Sequence, residues 1–432
     1  MRKNVILFSF DDCIAFWRYK SLFGVELKTP NLDRIRAVST TFLAAYCQSP
    51  LCGPSRASFM SGRSPCETGI LDNKSKIFSV LKPKDIWSYQ LKNNGFYCSS
   101  GGKVHHGYVP LPDKIHAQLY SDDRKFFPRG LRLRPGVKSR AFGGSGGGLA
   151  TLDPEDDLGY YDAQSARSFI EFLDRYDGDA PFYREVGFFS PHTPFITPAR
   201  FKKLYKAVDF QYPPEWDEEL KEDGDSSDEV RVNFRTHDKR YWQRSVRNYF
   251  SAVSHGDYHL VMDWDALQAS PHAKNTIMVL LTDHGLHLGE KRRFGKSTLL
   301  EQVANVPFII HNPDHPVRQE IEEPVALIDV GPTIMDMVGL PPPPRSLGRS
   351  VLPLMTGAEV GPERAVPTLQ ADGASIRKGR YRFTRTMAGK AVLHDLVEDW
   401  WQRHPKGPEH PAFSELSEAH QAVCAAYGLY FP

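Results

Sequence analysis

Asn4-Val5-Ile6-Leu7-Phe8-Ser9-Phe10-Asp11-Asp12 is an apolar run of strand length that stops at two acids. Lacking polar alternation, it suits a strand buried on both faces, as in a parallel sheet whose crossovers are helices. Open α/β sheets bind their ligands beyond the carboxyl ends of the strands, which is where this run leaves Asp11 and Asp12. Adjacent carboxylates repel, and a cation between them removes the repulsion. The plainer alternative is a solvated turn. Thr276 to Leu281 repeats the device and ends in Thr282-Asp283-His284-Gly285. Two buried strands thus bring candidate metal ligands to one sheet edge.

Working outward, Thr29-Pro30-Asn31-Leu32-Asp33 reads as a helix start, with Thr29 as N-cap and Pro30 at the first helical position. Helices are predicted from Asp85 to Asn94, stopping near Gly95, from Tyr160 to Tyr176 and from Tyr241 to Leu267. Strands are predicted over Pro181 to Ser190 and Val306 to Ile310. Ala141 to Leu149 is a glycine-rich, flexible loop, and no Gly-Lys-Ser/Thr follows to make it a nucleotide site. Glu218 to Glu229 is acidic and suits an exposed excursion. Leu340-Pro341-Pro342-Pro343-Pro344 is a stiff linker, after which the chain suits a small antiparallel sheet with a helix. The expected division is residues 1–340 for the large α/β unit and 345–432 for a C-terminal subdomain.

A chain of 432 residues accommodates that pairing. Its net charge of +2, with no run of like charge, argues against a nucleic-acid partner, so any grip on an anion must be local. The amino-terminal run is too short to span a membrane and ends in acids, so neither signal peptide nor membrane partner is expected. Six cysteines without C-x-x-C spacing fit reduced thiols and a cytoplasmic location. The sequon Asn73-Lys74-Ser75 reads as a chance match.

Three further stretches carry chemistry. Cys52-Gly53-Pro54-Ser55-Arg56 sets a cysteine near an anion-binding cation, too close in sequence for the cysteine-phosphatase loop. A helix beginning over Ala57 to Met60 would turn its free N–H groups and positive dipole end toward an anion. Gly101-Gly102-Lys103-Val104-His105-His106-Gly107 is a compact cationic, proton-donating cluster in a glycine-flanked turn. Ser190-Pro191-His192-Thr193-Pro194-Phe195 holds a histidine in a loop stiffened by its prolines.

Cys-x-Pro-Ser-Arg followed by Gly62-Arg63 resembles the signature of the type I, formylglycine-dependent sulfatases. Thr29 to Asp33, the Gly102-Lys103 turn, Pro191-His192, Asp283-His284-Gly285 and Gly289-Glu290 before Lys296 resemble further elements of that family in the same order. Tyr249-Phe250-Ser251 and the Ser375-Ile376-Arg377, Tyr381-Arg382-Phe383 pair are similar to the iduronate-2-sulfatase-like branch. The aromatic residues Tyr249 and Phe250 themselves suit the core. The resemblance implies an α/β, alkaline-phosphatase-like fold: a large mixed sheet flanked by helices, with a smaller C-terminal antiparallel sheet.

It also implies a sulfuric ester hydrolase. Cys52 would be the precursor of formylglycine, made by a formylglycine-generating enzyme, and its hydrated aldehyde would be the nucleophile. Asp11, Asp12, Asp283, His284 and the group derived from Cys52 would hold Ca2+, with Mg2+, Mn2+ or Zn2+ as alternatives given a nitrogen ligand. Arg56 would hold the diol, while Lys103, His192 and Lys296 would neutralise the sulfate. Family spacing favours His105 for proton transfer, and the iduronate branch puts that histidine one place on, at His106. Lys291, Arg292 and Arg293 would face solvent or substrate. The substrate would be a small organic or sugar sulfate ester. The rival reading is a phosphonate monoester or phosphodiester hydrolase with a similar site; a catalytically silent carbohydrate-binding relative would have lost one of these motifs.

Overall fold

Asn4–Phe10 (β1) forms a strand whose seven residues are all buried. The computed structural model describes residues 2–127, 138–152, 159–217, 238–358 and 363–432, so the acidic stretch Glu218 to Glu229 lies outside the described residues. Six more strands join β1: Thr40–Phe42 (β2), Tyr97–Gly102 (β3), Phe182–Gly187 (β4), Thr276–Thr282 (β5), Phe308–His311 (β6) and Gln319–Ile321 (β7). Their order is β7-β2-β6-β5-β1-β4-β3. Strands β5, β1, β4 and β3 run parallel, while β6 is antiparallel to both β5 and β2. The sheet is therefore mixed, with its parallel part at the centre, and β1 and β5 lie side by side with Phe10 opposite Thr282. Asp11 and Asp283 consequently leave the sheet at the same edge.

The pleat of β1 divides the core. Ile6, Phe8 and Phe10 face one apolar layer together with Phe169 and Phe250, and Val5 and Leu7 face the other with Phe59, Met60 and Trp87. The first layer is covered by Pro30–Arg36 (α1), Tyr161–Arg175 (α4) and Lys239–Ala269 (α5). The second is covered by Cys52–Ser61 (α2), Ser88–Asn93 (α3) and Val330–Met337 (α6). Apolar residues on both faces explain why the strand sequence shows no alternation.

Two predicted boundaries shift. Helix α2 begins at Cys52 rather than near Ala57, because Pro54 sits in the first turn, where its missing N–H leaves no bond unmade. The expected helix from Asp85 starts only at Ser88, since the Asp85 carboxylate turns back to accept from Lys82 N at 2.8 Å and closes a separate turn.

After the proline stretch, Val366–Gln370 (β8), Gly373–Lys378 (β9), Tyr381–Thr386 (β10) and Ala391–Asp395 (β11) form an antiparallel meander, with Phe413–Ala426 (α7) packed on it. This small sheet is bonded to the large unit through Gln48. Leu369 N donates to Gln48 O at 3.0 Å, and Ile328 N donates to Gln48 Oε1 at 3.0 Å. The chain beyond Glu398 places Trp400 against Tyr19 and Trp401 against Trp216, ring centroids 5.5 and 4.8 Å apart. All six cysteines are unpaired. No helix among the described residues is long and apolar enough to cross a membrane.

Phe8 is wholly buried, edge-on to Phe169 at 5.6 Å. Phe8→Ala is expected to destabilise the protein by about 3–5 kcal/mol through lost transfer energy and the cavity left behind. A thermal midpoint unchanged in scanning calorimetry would show that the layer repacks instead.

Candidate active site

The turn after β1 is strained. Asp12 has φ of 63°, a left-handed conformation that a non-glycine residue holds only when its surroundings impose it. Four hydrogen bonds impose it here. Asp12 N donates to Asp283 Oδ1 at 3.1 Å and Cys13 N to Thr282 Oγ1 at 3.1 Å. The Tyr249 hydroxyl accepts from Ile14 N at 3.0 Å and donates to Asp12 O at 2.7 Å. Tyr249 is a core residue, as expected, and also the clamp on this turn.

Arg56, one turn along α2 from Cys52, is entirely buried. Its Nε donates to Asp283 Oδ2 at 2.8 Å and Nη2 to Phe10 O at 2.9 Å, with Asp11 Oδ1 at 3.4 Å. Nη1 donates to Ser9 Oγ, Lys103 O and Val104 O at 3.1, 3.0 and 2.8 Å. One guanidinium therefore joins the ends of β1 and β5 to the turn after β3. Burial works against its charge, but Asp283 and Asp11 outweigh that and raise its pKa.

Around Cys52 the charges alternate. Its Sγ lies 2.9 Å from Lys296 Nζ, 3.2 Å from His284 Nε2 and 3.7 Å from Asp12 Oδ1. Lys296 Nζ also donates to Asp12 Oδ1 at 2.8 Å. Lys103 pairs with Asp11 Oδ2, and the Tyr108 hydroxyl accepts from Lys103 Nζ and donates to Asp11 Oδ2, each at 3.0 Å. His192 Nε2 stands 3.8 Å from Asp12 Oδ2. Burial would raise the carboxyl pKa of Asp11, yet Lys103, His192 and Arg56 hold it well below the usual range; burial likewise opposes the charge on Asp12, but Lys296 and His192 lower its pKa. Burial also opposes a charge on His192, but Asp12 and Asp11 raise its pKa. The Cys52 thiol is pushed up by burial and by Asp283, Asp11 and Asp12, so it stays protonated at neutral pH.

Two sets of ligand atoms converge: Asp11, Asp12, Cys52 and His192, and Asp12, Cys52, Asp283 and His284, the atoms of each set lying within 4.8 Å of one another. His284 Nδ1 meets Gly285 O at 2.9 Å, which puts its proton on Nδ1 and leaves the Nε2 lone pair facing Asp12 and Cys52. Each set offers two carboxylates, the Cys52 sulfur and one imidazole nitrogen, donors that suit a divalent cation.

The paired histidines part company. His105 is buried, its Nε2 2.9 Å from the Tyr120 hydroxyl, which donates in turn to Glu185, and its ring lies edge-on to Phe78. Burial drops its pKa to about 3. His106 lies at the rim, with Nε2 3.2 Å from Asn73 O. Burial, then Lys103 and Arg56, lower its pKa to about 4, so it is neutral at pH 7. Asn73 Oδ1 accepts from Gly53 N at 2.7 Å at the start of α2, which links the rim to the Cys52 helix. Lys291, expected to face solvent or substrate, is buried and donates to Gln402 O at 2.5 Å.

In the sequence Asn73 stood out only as a sequon, and Tyr108 and Asp162 were not singled out. Asn73 caps by a contact distant in the chain, and Tyr108 lies in a stretch without periodicity. Asp162, near the start of α4, accepts from Phe189 N and from Ser190 N at 3.1 Å, and Ser190 O accepts from Asp11 N at 3.3 Å. It thereby ties the His192 loop to β1. An aspartate in the first turn of a helix carries only a local signal, so its distant partners were invisible.

Acids and a histidine at parallel strand ends, facing a cysteine at a helix start, make a cluster suited to a divalent cation at the edge of an alkaline-phosphatase-like sheet. The chain belongs to the sulfatase family, whose model, described as Sulfatase, matches residues 3–340, and it is accordingly a sulfuric ester hydrolase. It is 29% identical over 423 residues to a sulfatase of Formosa agariphila, covering 92% of this chain and 82% of that one. It is 26% identical over 373 residues to iduronate 2-sulfatase of Mus musculus, covering 75% and 67%. Phosphonate monoester hydrolase of Agrobacterium radiobacter has the same fold, with a TM-score of 0.79 over 99% of this chain and 96% of that one, at 18% identity.

Burial pushes the Asp162 carboxyl up to about 6, the bonds from Ser190 and Phe189 offsetting part of the shift. Its native pKa thus exceeds the unfolded value of about 3.9, so its stabilising contribution is complete below about pH 4 and is lost as pH rises through about 6. Asp162→Asn cannot titrate. The thermal midpoint of the wild type relative to this variant should fall between about pH 4 and about pH 8. A constant difference would place the titration elsewhere.

Proposed function

We propose that this protein cleaves a sulfate ester of a sugar or other small organic alcohol, using formylglycine derived from Cys52 and a divalent cation. The observation that carries the reading is the state of Cys52. It stands at the first position of α2, shared by both ligand sets, with its thiol held protonated by burial and three carboxylates. A thiol so placed is a poor sulfur nucleophile. An oxygen nucleophile derived from it, beside a cation, suits the surroundings, and the chain's sulfatase membership supports the conversion by a formylglycine-generating enzyme.

Asp11, Asp12, Asp283 and His284 would hold the cation, Ca2+ or alternatively Mg2+, Mn2+ or Zn2+. Bound there, it supplies Lewis acidity to a sulfate oxygen and to the nucleophile. The chain's own residues do the rest. Three carboxylates, Asp11, Asp12 and Asp283, face three cations, Arg56, Lys103 and Lys296, so a divalent cation leaves the pocket with net positive charge for an anionic ester. Lys296 and His192 lie on the Cys52 side of Asp12 and orient the sulfate; Lys103 neutralises charge from the Asp11 side. Arg56 has its donors on Asp283, Asp11 and backbone carbonyls, so it acts by locking the ligand geometry. His106, neutral and at the rim, would act as a base on the second hydroxyl of the hydrated aldehyde, so that the C–O bond to sulfate breaks, sulfate departs and the aldehyde is restored. His105 holds Tyr120 and Glu185 in place. The iduronate 2-sulfatase likeness supports a sulfated sugar as substrate.

His106→Ala should lower kcat by about 100-fold or more with little change in thermal midpoint, and His105→Ala should chiefly lower the midpoint. Steady-state kinetics alongside calorimetry separates the two; the opposite pattern would assign catalysis to His105.

Phosphonate hydrolysis is the alternative on the same fold. Protein produced with the maturation enzyme should show an aldehyde at Cys52 by peptide mass spectrometry. It should have a higher kcat/KM for 4-nitrophenyl sulfate than for phenyl phosphonate esters, and Asp283→Asn should lose metal and turnover together. The reverse substrate order would replace the sulfatase reading with the phosphonate one.

A further inference from the structure

Away from the acid cluster, three arginines gather on one loop. The short strands Ser139–Ala141 and Leu149–Thr151 are antiparallel, and the glycine-rich segment joins them as a hairpin. Arg140 on the first strand and Arg247 on α5 both lie over the Phe142 ring, their guanidinium carbons 5.2 and 5.0 Å from its centroid. Arg247 also donates to Phe142 O at 2.8 Å and to Asn248 Oδ1 at 3.1 Å. Arg244, one turn earlier on α5, lies against Gly143, where an added Cβ would stand 3.5 Å from Arg244 Cδ and 3.6 Å from its Nε. That Nε is buried without a hydrogen-bond partner. Among the described residues no carboxylate pairs with any of the three. Burial, then Arg244 and Arg140, lower the Arg247 pKa to about 10.

Three like charges are held together at a cost in repulsion. A planar guanidinium fork matches an oxyanion, so a sulfate or carboxylate between them would relieve it. Arg140 is exposed and Arg244 partly so, which leaves the cluster open to solvent. The loop is fastened to the active-site side of the molecule. Gly146 O accepts from Phe195 N at 3.1 Å, close in the chain to His192, and Asn248 Nδ2 donates to Gly143 O at 2.6 Å. The next residue, Tyr249, reaches Asp12. Arg247 thus stands two residues before the residue of α5 that holds the Asp12 turn.

We propose that Arg140, Arg244 and Arg247 form a second oxyanion subsite, which takes a sulfate or carboxylate group carried elsewhere on an extended substrate whose ester lies at Cys52. The subsite rests on the sulfatase reading and narrows its substrate class to sugars bearing more than one anionic group. An aryl sulfate has nothing to place there.

The test separates the two claims. Metal-loaded Cys52→Ala protein, which binds without turnover, is titrated calorimetrically with a monosulfated disaccharide and with its disulfated counterpart. Matured wild type and Arg140→Gln/Arg244→Gln are assayed in parallel on 4-nitrophenyl sulfate. The disulfated sugar should bind about tenfold more tightly. That gain should vanish when Arg140→Gln/Arg244→Gln is added, while aryl sulfate turnover stays at the wild-type level. Arg247 is left in place because it holds the loop. An equal ratio of affinities with and without the two arginines would overturn the subsite even if turnover is normal. Absence of aryl sulfate turnover in the matured wild type would instead overturn the sulfatase reading. An Arg244-dependent rise in thermal midpoint with inorganic sulfate alone, without discrimination between the sugars, would overturn the assignment to a substrate group.

Discussion

Neutralisation of buried charge at the end of β1 is the constraint on which the rest depends. Asp11, Asp12 and Asp283 are out of solvent, and a cation stands beside each: Lys103 and Arg56 at Asp11, Lys296 at Asp12, Arg56 at Asp283. Removing one partner of such a set leaves an uncompensated buried charge, which costs about 3–5 kcal/mol. The same pairing fixes geometry. Arg56 bonds to β1, β5, and the turn after β3 at once, so the edge of the sheet, the Cys52 helix and the Lys103 turn move as one body.

Other parts of the fold act through this body. Tyr249 and the Asp283 carboxylate hold Asp12 in its left-handed turn, and Asp162 carries the His192 loop to β1. The small C-terminal sheet braces the opposite side. Ser375 Oγ donates to Leu299 O at 3.0 Å and Glu301 N donates to Gln402 Oε1 at 2.6 Å, which steadies the segment following Lys296. Ser297 N donates to Pro50 O at 3.1 Å, so this segment and the Cys52 loop are tied directly. The C-terminal region therefore contributes to the active site by support, without placing a ligand in the acid cluster.

The arginine group on the glycine-rich hairpin follows a different rule. In the acid cluster Arg56, Lys103 and Lys296 each have a carboxylate; among the described residues none pairs with Arg140, Arg244 or Arg247. The first arrangement suits a rigid site for a cation. The second suits a surface that takes an anion from outside, and two of its arginines lie on α5 just before Tyr249.

How much of this was legible follows from the range of each interaction. The strands ending in Asp11-Asp12 and Asp283-His284, and the Cys52 to Arg56 stretch, were readable because each is local: burial on both faces removes alternation, and a strand end or helix start is a short-range signal. The ligand set and the cations Lys103, His192 and Lys296 came from resemblance to the sulfatases, and the structure brings them together. Tertiary structure alone set His105 and His106 apart, adjacent residues of one turn, because Tyr120 and Phe78 enclose the first and leave the second at the rim. It alone showed Arg56 bonded to Asp283, Lys291 buried on Gln402, Asn73 on Gly53, Tyr108 on Asp11 and Asp162 on Ser190. Each of these rests on a hydrogen bond or ion pair between groups far apart in the chain. Sequence by itself determined which chemistry was available at the sheet edge; the crossing of loops over that edge, set by packing of the whole core, decided which side chains reach it.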